Sequence, residues 1–254
     1  MKISIITISL NAEDFIENCI RSVLNQSYKN LEFIIIDGGS TDNTLKIAGK
    51  YSKNISKIVS EPDRGIYDAM NKGLKIANGE IIGFLHTDDF YTNNDILLKV
   101  SNLFKKDDLL DACYSDLVYV KKKDTSKIVR YWKSNKFIEG SFSKGWSPPH
   151  PTFFARNSVY KRFGNFNLFY PIVSDVELMM RFLEVHKIQT KYISEVWIKM
   201  RLGGLSNRSL KSIIRQNLNI IRALRFHNLN SNILIFFISK LIMRLKQFLY
   251  KPVF

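Results

Sequence analysis

The sequence predicts an α/β protein with a doubly wound, mostly parallel sheet, followed by two basic amphipathic helices. Two observations support the sheet: β-branched runs alternate with segments of helical periodicity, and turn residues separate them. Such alternation favours parallel pairing, because the segment that joins two parallel strands must cross the sheet. With 254 residues, 45% of them hydrophobic, the chain can bury a substantial core, which excludes the disordered, collagen-like and coiled-coil classes.

Residues 3–85 follow a βαβαβαβ order. Continuous apolar runs predict four buried strands, at Ile3–Leu10, Leu31–Ile36, Ile55–Val59 and Glu80–Leu85. Apolar side chains spaced three and four apart predict the helices between them, at Ala12–Asn25, Thr41–Ser52 and Ile66–Ala77. Either Thr41 or Asp42 is expected to cap the second helix. This order is typical of the nucleotide-binding half of a doubly wound fold.

The later part of the chain carries less regular patterns. The predicted elements are a helix at Asp95–Phe104, strands at Ala112–Val120 and Ile128–Tyr131, a helix at Ser174–Val185, a strand at Thr190–Arg201, and helices at Leu210–Phe226 and Ile233–Tyr250. An aromatic, proline-containing segment occupies Phe137–Phe154, and Gly203-Gly204 marks a break.

The positive charge is concentrated in the later residues. The chain carries a net charge of +15, yet residues 1–99 hold 11 basic and 13 acidic side chains, and no acidic residue follows Glu195. A basic tail of this kind suits an anionic membrane surface or a phosphorylated ligand, and the near-neutral first half argues against nucleic acid. The longest apolar run of the tail, Ile233–Ile238, is far below the ~20 residues that span a bilayer, so the tail is expected to lie on a membrane rather than cross it. The alternative is that its helices pack on the core or on a partner subunit, with the charges solvated.

The two cysteines give no metal or redox motif. Cys19 and Cys113 are far apart in the sequence, which is typical of buried thiols in a reducing compartment. The N-terminal apolar run is short and lacks a small-residue cleavage site, so no signal peptide is predicted. We therefore expect a cytoplasmic protein, peripheral on the inner face of the membrane.

Acidic residues follow three of the predicted strands, at the edge where a parallel sheet binds ligands. The first strand lacks a G-x-G-x-x-G turn, so phosphate must be neutralised in another way. Asp88-Asp89 offers hard oxygen ligands for Mg²⁺ or Mn²⁺, which bridge diphosphate oxygens. A plain turn is the alternative, but adjacent carboxylates after a buried strand repel each other unless a cation is near.

Three further polar sites have a structural and a binding interpretation. Asp37, followed by Gly-Gly-Ser, either forms a turn or accepts from a uracil imide or a ribose hydroxyl. Arg64 either contacts a phosphate or is solvated. Asp68 and Asn71 are expected to act as helix cap and dipole partners.

These residues resemble the family 2 inverting glycosyltransferases of the GT-A fold, particularly the bacterial polysaccharide and O-antigen enzymes. The resemblance covers residues 1–205, and its blocks are Ile5-Ile6-Thr7 with Asn11, Ile36 to Asp42, Glu61 to Gly73, and Gly79 to Asp89. It implies that Thr7 and Asp37 hold the nucleoside, that Arg64 lies beside the nucleotide, and that Asp88 and Asp89 form the metal and ribose site. Many relatives have an acid at the position of His86, so the metal site here depends on Asp88 and Asp89 alone.

The later blocks of the family imply an acceptor side. They resemble Pro149 to Phe154, Gly164 to Phe166, Ser174 to Arg181, and Gly203 to Ser206. In that pattern Asp175 aligns with the carboxylate that activates the acceptor hydroxyl. The structural alternative is a capping box, Ser174-x-x-Glu177. His150, Trp146 and Glu177 are weaker candidates for acceptor binding, and buried aromatic residues are more often part of a core.

The resemblance implies inverting transfer of a sugar from a nucleotide-diphosphate sugar, a UDP-sugar by expectation, to a hydroxyl of a lipid-linked or saccharide acceptor. Residues 1–99 would bind the donor, residues 100–205 the acceptor, and residues 206–254 a membrane surface. One alternative is a sugar-nucleotide nucleotidyltransferase, although its Gly-rich basic loop is absent after the first strand. The other is a non-catalytic basic module that binds nucleic acid or membrane.

Overall fold

The computed structural model describes residues 1–203, 210–250 and 252. Nine strands form one sheet in the order β3-β2-β1-β4-β8-β6-β9-β5, with β7 paired to β6. The strands are β1 Ile3–Ser9, β2 Leu31–Asp37, β3 Lys57–Ser60, β4 Ile81–Phe84, β5 Asp89–Tyr91, β6 Ala112–Val120, β7 Ile128–Trp132, β8 Phe154–Arg156 and β9 Thr190–Arg201. The helices are α1 Ile16–Leu24, α2 Thr44–Gly49, α3 Ile66–Ile76, α4 Ile96–Lys106, α5 Asn157–Phe163, α6 Ser174–Met180, α7 Leu210–Phe226 and α8 Ile233–Leu249.

The first four strands form the predicted parallel unit. β1 lies between β2 and β4 and is parallel to both, and β3 is parallel to β2. The register sets Asp37 opposite Ser9 on one side and Ser60 on the other. The polar carboxyl ends of β1, β2 and β3 therefore meet at one edge of the sheet.

Helices cover both faces of this unit. α1 contributes Cys19 and Ile20 to one apolar cluster, together with Ile3 and Ile5 of β1. α3 packs on the opposite face with Ile6 and Ile8 of β1. Side chains of a strand alternate between its two faces, so one strand serves both clusters.

The second half adds antiparallel strands to the sheet. β8 is antiparallel to β4 and β6, and β5 is antiparallel to β9. Sequence patterns do not predict β5, β8 or α5, because these elements have only three to seven residues, too few for either period to recur clearly. The predicted helix at Ser174–Val185 is α6 followed by a π-helical turn at Arg181–Val185.

Several predicted boundaries are wrong. α1 begins at Ile16, because residues 12–15 form a turn in which the Phe15 amide donates to the Ala12 carbonyl. α2 is confined to Thr44–Gly49, and its N-cap is Asn43 rather than either predicted residue. Strand β4 ends at Phe84, so Asp89 begins a separate strand.

The last two helices pack against the rest of the protein. Ile221 and Leu224 of α7 and Phe236 of α8 are buried in the cluster that also contains Ile6 and Ile8. The predicted break at Gly204, the block that ends at Ser206 and the domain boundary at 205/206 lie outside the described residues. Among the residues that the structure describes, no helix is both long and apolar enough to cross a bilayer.

Candidate active site

Asp37 is the centre of a hydrogen-bonded turn at the carboxyl edge of the sheet. The hydroxyls of Ser9 and Ser40 donate to Oδ1, while the Ser60 hydroxyl and the amides of Gly39 and Ser40 donate to Oδ2, the latter at 2.7, 3.1 and 2.8 Å. Burial alone would raise the pKa of Asp37, but these hydrogen bonds outweigh it and hold the pKa below its usual value. The fully buried carboxylate is thus engaged by five donors of the protein itself.

The predicted nucleoside contacts gain no side-chain support from this arrangement. The Asp37 carboxylate accepts hydrogen bonds within the turn, as its structural interpretation predicts. The Thr7 hydroxyl is buried, 3.7 Å from Cys19 Sγ of α1. Arg64 is exposed and pairs with Asp68 at 3.2 Å. A nucleoside role for Thr7, Asp37 and Arg64 stays a prediction.

The two carboxylates of the predicted metal site have different environments. Asp88 is half-buried, whereas Asp89, opposite Met200 of β9, is fully buried. Neither oxygen of Asp89 has a hydrogen-bond partner among the described residues. Burial and the charge of Asp88 raise the pKa of Asp89 well above its usual value, against the opposing effect of Arg201. Asp88 is therefore the member of the pair that solvent reaches.

Arg201 supplies a buried cation beside the acid pair. Its guanidinium donates to the Asp88 carbonyl at 2.9 Å and to Asn18 Oδ1 at 3.0 Å, between the rings of Phe15 and Phe90. The sequence predicts Arg201 only as the last residue of a strand, and the structure shows that β9 brings it into the core next to β5. No signal in the sequence links the two segments. The positive charge of Arg201 thus partly offsets the repulsion between the carboxylates of Asp88 and Asp89.

The acid pair has the chemistry of a site for a hard divalent cation. The orphaned oxygens of Asp89 and the solvent-accessible Asp88 are acceptors of the type that Mg²⁺ and Mn²⁺ bind. Within residues 1–203, 210–250 and 252, no three His, Cys, Asp or Glu side chains are gathered as a metal site. Mg²⁺ is commonly held by one or two carboxylates together with substrate phosphates and water, so the pair fits such an ion.

Asp175 is held by a residue of the other half of the protein. The Tyr67 hydroxyl of α3 donates to Asp175 Oδ1 at 2.7 Å. The N-cap of α6 is Val173 without a side-chain cap, and Ser174 Oγ has no partner among the described residues. The capping-box interpretation is therefore wrong. Asp175 is half-buried, and its carboxylate keeps one oxygen outside the bond from Tyr67.

A second contact joins α3 to the segment ahead of α6. Asn71 donates to the Phe166 carbonyl at 2.9 Å and accepts from the Phe166 amide at 3.0 Å. The rings of Tyr67 and Phe166 are stacked, with centroids 5.7 Å apart. Asn71 was expected to act locally within its helix, but its side chain instead bonds the backbone of Phe166 and so joins α3 to the segment ahead of α6. Sequence analysis missed Tyr67, although it lies within the block Glu61 to Gly73 that carries the resemblance.

Two histidines lie near Asp175. Burial lowers the pKa of His150 to about 4, while the charge of Asp175 acts in the opposite direction. Burial also lowers the pKa of His86, against the charges of Asp88 and Asp175. The carboxylates of Asp88 and Asp175 therefore both lie near enough to His86 to act on its pKa. Because its pKa is lowered, the His150 ring is neutral at physiological pH, and its buried Nε2 has no partner among the described residues.

The two remaining acceptor candidates are occupied by other parts of the protein. Trp146 is buried among the rings of Tyr114, Phe137 and Phe142. Glu177 accepts from Arg181 Nε at 3.0 Å and lies 2.8 Å from Nε2 of His227, which directly follows α7. The structure gives no support to an acceptor contact by either residue. Both belong to the packing around α6 and the aromatic segment.

The fold is the GT-A fold of glycosyltransferases. Residues 4–165 match the family model described as Glycosyl transferase family 2, and the chain belongs to that family. The fold class and the resemblance that the sequence predicts are confirmed. The nucleic-acid-binding and nucleotidyltransferase alternatives are set aside by this match.

Two curated relatives are similar over most of the chain. The PGL/p-HBAD biosynthesis glycosyltransferase of Mycobacterium bovis (strain BCG / Pasteur 1173P2) is 29% identical over 208 residues, 80% of this chain and 78% of that protein. The UDP-Glc:alpha-D-GlcNAc-diphosphoundecaprenol beta-1,3-glucosyltransferase WfaP of Escherichia coli is 28% identical over 237 residues, 87% of this chain and 86% of that protein.

Two solved structures share the fold. S. aureus TarS 1–349 in complex with UDP-GlcNAc has a TM-score of 0.67 at 18% identity, covering 91% of this chain and 68% of that one. The mannosyltransferase PcManGT from Pyrobaculum calidifontis, in complex with GDP-Man and Mn²⁺, has a TM-score of 0.66 at 17% identity, covering 91% and 65%. At these identities the likeness concerns the fold alone.

Proposed function

We propose that this glycosyltransferase moves a sugar from a UDP-sugar to a hydroxyl of a lipid-linked acceptor, with inversion at the anomeric carbon, in the synthesis of a bacterial surface polysaccharide. The name of the WfaP relative supports the donor and the acceptor class. The observation that carries the proposal is the position of Asp175. It is bonded to Tyr67 of the nucleotide-binding half, and its charge, like that of Asp88, acts on the pKa of the buried His86.

The chain's own residues account for the proton transfer. Asp175 takes the proton of the acceptor hydroxyl as that oxygen attacks the anomeric carbon, and the nucleoside diphosphate leaves from the opposite face. The Tyr67 hydroxyl fixes the carboxylate through Oδ1, so the other oxygen is available to the acceptor. His150, neutral at physiological pH, is a hydrogen-bonding group for a sugar hydroxyl beside the base.

The donor diphosphate belongs at the acid pair. Asp88, with Asp89 beside it, would hold Mg²⁺ or Mn²⁺, which when bound supplies positive charge for the leaving diphosphate. Arg64 is exposed on the loop after β3 and is a further cation for a phosphate oxygen. The Asp37 turn presents the backbone of its glycine-rich segment at the same edge, where a nucleoside would lie.

The membrane part of the proposal depends on α8. The outer surface of this helix is apolar and exposed, with Leu234, Ile238, Leu241, Leu245, Phe248 and Leu249 along it. The same helix carries the exposed Lys246, together with Lys240 and Arg244, which are half-buried, and no acidic residue follows Glu195. A second copy of the helix would bring like charges together, whereas anionic lipid accepts both the cations and the apolar stripe. We therefore assign α8 to the cytoplasmic face of a membrane that carries the acceptor.

Thermal unfolding with nucleotides tests the donor site. UDP, GDP, dTDP and CDP are added to the wild type and to Asp88→Asn, each with and without Mn²⁺. A ligand at ~100 times its dissociation constant stabilises the folded state by ~2.7 kcal/mol, a readily visible shift. We expect UDP to stabilise the wild type only with Mn²⁺, and the variant to lose the effect. Stabilisation by none of the four nucleotides would contradict the proposal.

The Asp175→Asn variant tests the chemistry separately. General-base assistance is typically worth ~10² to 10⁴ in rate, so we expect turnover to fall by about that factor. UDP with Mn²⁺ should still raise the melting temperature as in the wild type, because Asp175 does not contact the diphosphate. Glu139→Gln, an exposed acid of the same half, serves as the control and should retain full activity. Full turnover by the Asp175 variant would show that Asp175 is not the general base.

A further inference from the structure

A cavity of about 340 Å³ lies between α7 and the loop that leads into α6. It is lined by Phe169, Pro171, Arg215, Leu218, Asn219 and Arg222. The four residues from α7 are spaced three, four and seven apart, so they lie on one face of the helix. Pro171 is four positions before Asp175, so the cavity opens beside the segment that carries the proposed base.

The lining combines two cations with exposed apolar surface. Neither Arg215 nor Arg222 has an ion-pair partner among the described residues, and both are exposed. Phe169 is 79% exposed and Leu218 is 48% exposed, although both are large apolar side chains. The planar fork of arginine matches phosphate oxygens, and exposed apolar side chains at the same place favour a hydrocarbon. This combination is typical of a site for an amphiphile with a phosphate head.

We infer that this cavity binds the phosphate groups of a lipid-linked acceptor together with the first part of its hydrocarbon chain. The inference rests on the proposed function, because it names the place where the acceptor of that reaction is held. Arg215 and Arg222 take the phosphate oxygens, and Phe169 and Leu218 contact the chain.

The position of the cavity suits this role. α7 packs against α6, and His227, the residue directly after α7, lies 2.8 Å from Glu177 of α6, two positions after Asp175. The loop that carries Phe169 is closed by hydrogen bonds from the Tyr170 amide to Asn167 and from the Val173 amide to Tyr170. A lipid phosphate held between the loop and α7 would thus leave the sugar of the acceptor to extend toward α6.

Binding of farnesyl diphosphate, a short soluble isoprenoid diphosphate, tests the inference. It is titrated into the wild type by calorimetry with saturating UDP and Mg²⁺ present, so that the donor site is filled. The cavity variant is Arg215→Gln/Arg222→Gln. The control variant is Lys211→Gln/Arg225→Gln, which removes the same charge from the same helix but from residues outside the cavity. Farnesol, which lacks the diphosphate, is the control ligand.

We expect the cavity variant to bind farnesyl diphosphate about tenfold or more weakly than the wild type, since it loses charge-assisted hydrogen bonds. The control variant should stay within about twofold, and farnesol should bind far more weakly than the diphosphate. Equal loss in both variants would overturn the inference, because it would indicate general attraction to anionic lipid. No binding to the wild type would overturn it too.

UDP separates failure of this inference from failure of the proposed function. If UDP with metal stabilises both double variants as it does the wild type, each variant is folded and the donor site is intact. A loss of farnesyl diphosphate binding in the cavity variant alone then supports the inference. If UDP binds and farnesyl diphosphate does not bind the wild type, the inference is wrong while the donor part of the proposed function stands. If UDP does not bind the wild type, the proposed function itself fails.

Discussion

Tyr67 lies 108 positions before Asp175, yet its hydroxyl donates to that carboxylate at 2.7 Å. The bond joins α3, which belongs to the parallel unit, to α6, which carries the proposed base. It leaves the carboxylate with a defined orientation, because one oxygen is already engaged. Tyr67 is thus a positioning residue for Asp175 rather than a group that meets the substrate.

Tyr67→Phe should lower kcat about tenfold while leaving the KM for the donor unchanged. The reason is that the variant loses one hydrogen bond to a charged group, which is commonly worth ~1.5 to 3 kcal/mol. Steady-state kinetics over a range of donor concentrations checks this. Tyr160→Phe is the matched control, because the buried Tyr160 hydroxyl has no partner among the described residues. An equal fall in kcat for the two variants would show that any loss of a buried hydroxyl has this effect.

Asp37→Asn should lower the free energy of unfolding by about 2 kcal/mol or more at pH 7, because donors that faced a carboxylate oxygen would face an amide. The pKa of Asp37 is lowered in the folded protein, so its stabilisation is complete above the unfolded value of ~3.9 and is lost as pH falls through the folded value. Denaturant unfolding should therefore show a larger difference between wild type and variant at pH 7 than at pH 3.

The exposed Asp14 supplies the control for this pH series. Asp14→Asn should change the free energy of unfolding little at either pH. A difference between wild type and Asp37→Asn that persists unchanged at low pH would mean that the ionised carboxylate is not its source.

At the scale of elements, α3 and β1 are in close contact at Gly73. A Cβ atom on Gly73 would lie 2.4 Å from Cγ2 of Ile6, whereas a Cβ on Gly49 of α2 would meet nothing within 4 Å. Both glycines are helical, and alanine is favoured over glycine in a helix by about 1 kcal/mol. The contact with Ile6 therefore decides the sign of the change.

Gly73→Ala should lower the free energy of unfolding by about 1 to 3 kcal/mol, since overpacking outweighs the gain in helix propensity. Gly49→Ala should raise it by up to about 1 kcal/mol. Thermal and denaturant unfolding of the two variants measure the difference. Stabilisation of both would show that α3 can move away from β1 without cost.

The order of the long elements can be predicted from local sequence patterns, whereas the short elements cannot. The strands at Ala112–Val120 and Thr190–Arg201 and the helix at Leu210–Phe226 have the predicted bounds. Each contains enough residues to show its period or its continuous apolar character. β5 and β8 have three residues each, and their pairing with β9, β4 and β6 forms them.

At the scale of the whole molecule, the last helix, α8, has apolar side chains both in the core and on its solvent-facing surface. Phe236 anchors α8 in the core, while the opposite surface of the helix presents apolar side chains to solvent. A helix with apolar residues on both sides normally lies in a core or in lipid. The overall basic charge of residues 210–250 adds an attraction to anionic headgroups.

Ile238→Gln/Leu245→Gln should abolish sedimentation of the protein with vesicles of phosphatidylcholine and phosphatidylglycerol. Both side chains are exposed, so the melting temperature should stay near that of the wild type. Leu109→Gln/Ile138→Gln is the control, because these residues are 70% and 68% exposed and lie outside α8. Sedimentation of the α8 variant at the wild-type level would contradict the membrane assignment, as would equal loss in the control.

The sequence by itself determined the α/β class, the order of the long elements, the family, and the polar residues that meet at the carboxyl edge of the sheet. All of these depend on spacing within a segment or on the residue at the end of a strand. Only the tertiary structure decided that Asp89 is buried beside Arg201, that Tyr67 holds Asp175, and that Glu177 pairs with His227. These contacts join residues far apart in the chain, and such contacts depend on how the elements pack, for which local periodicity carries no information.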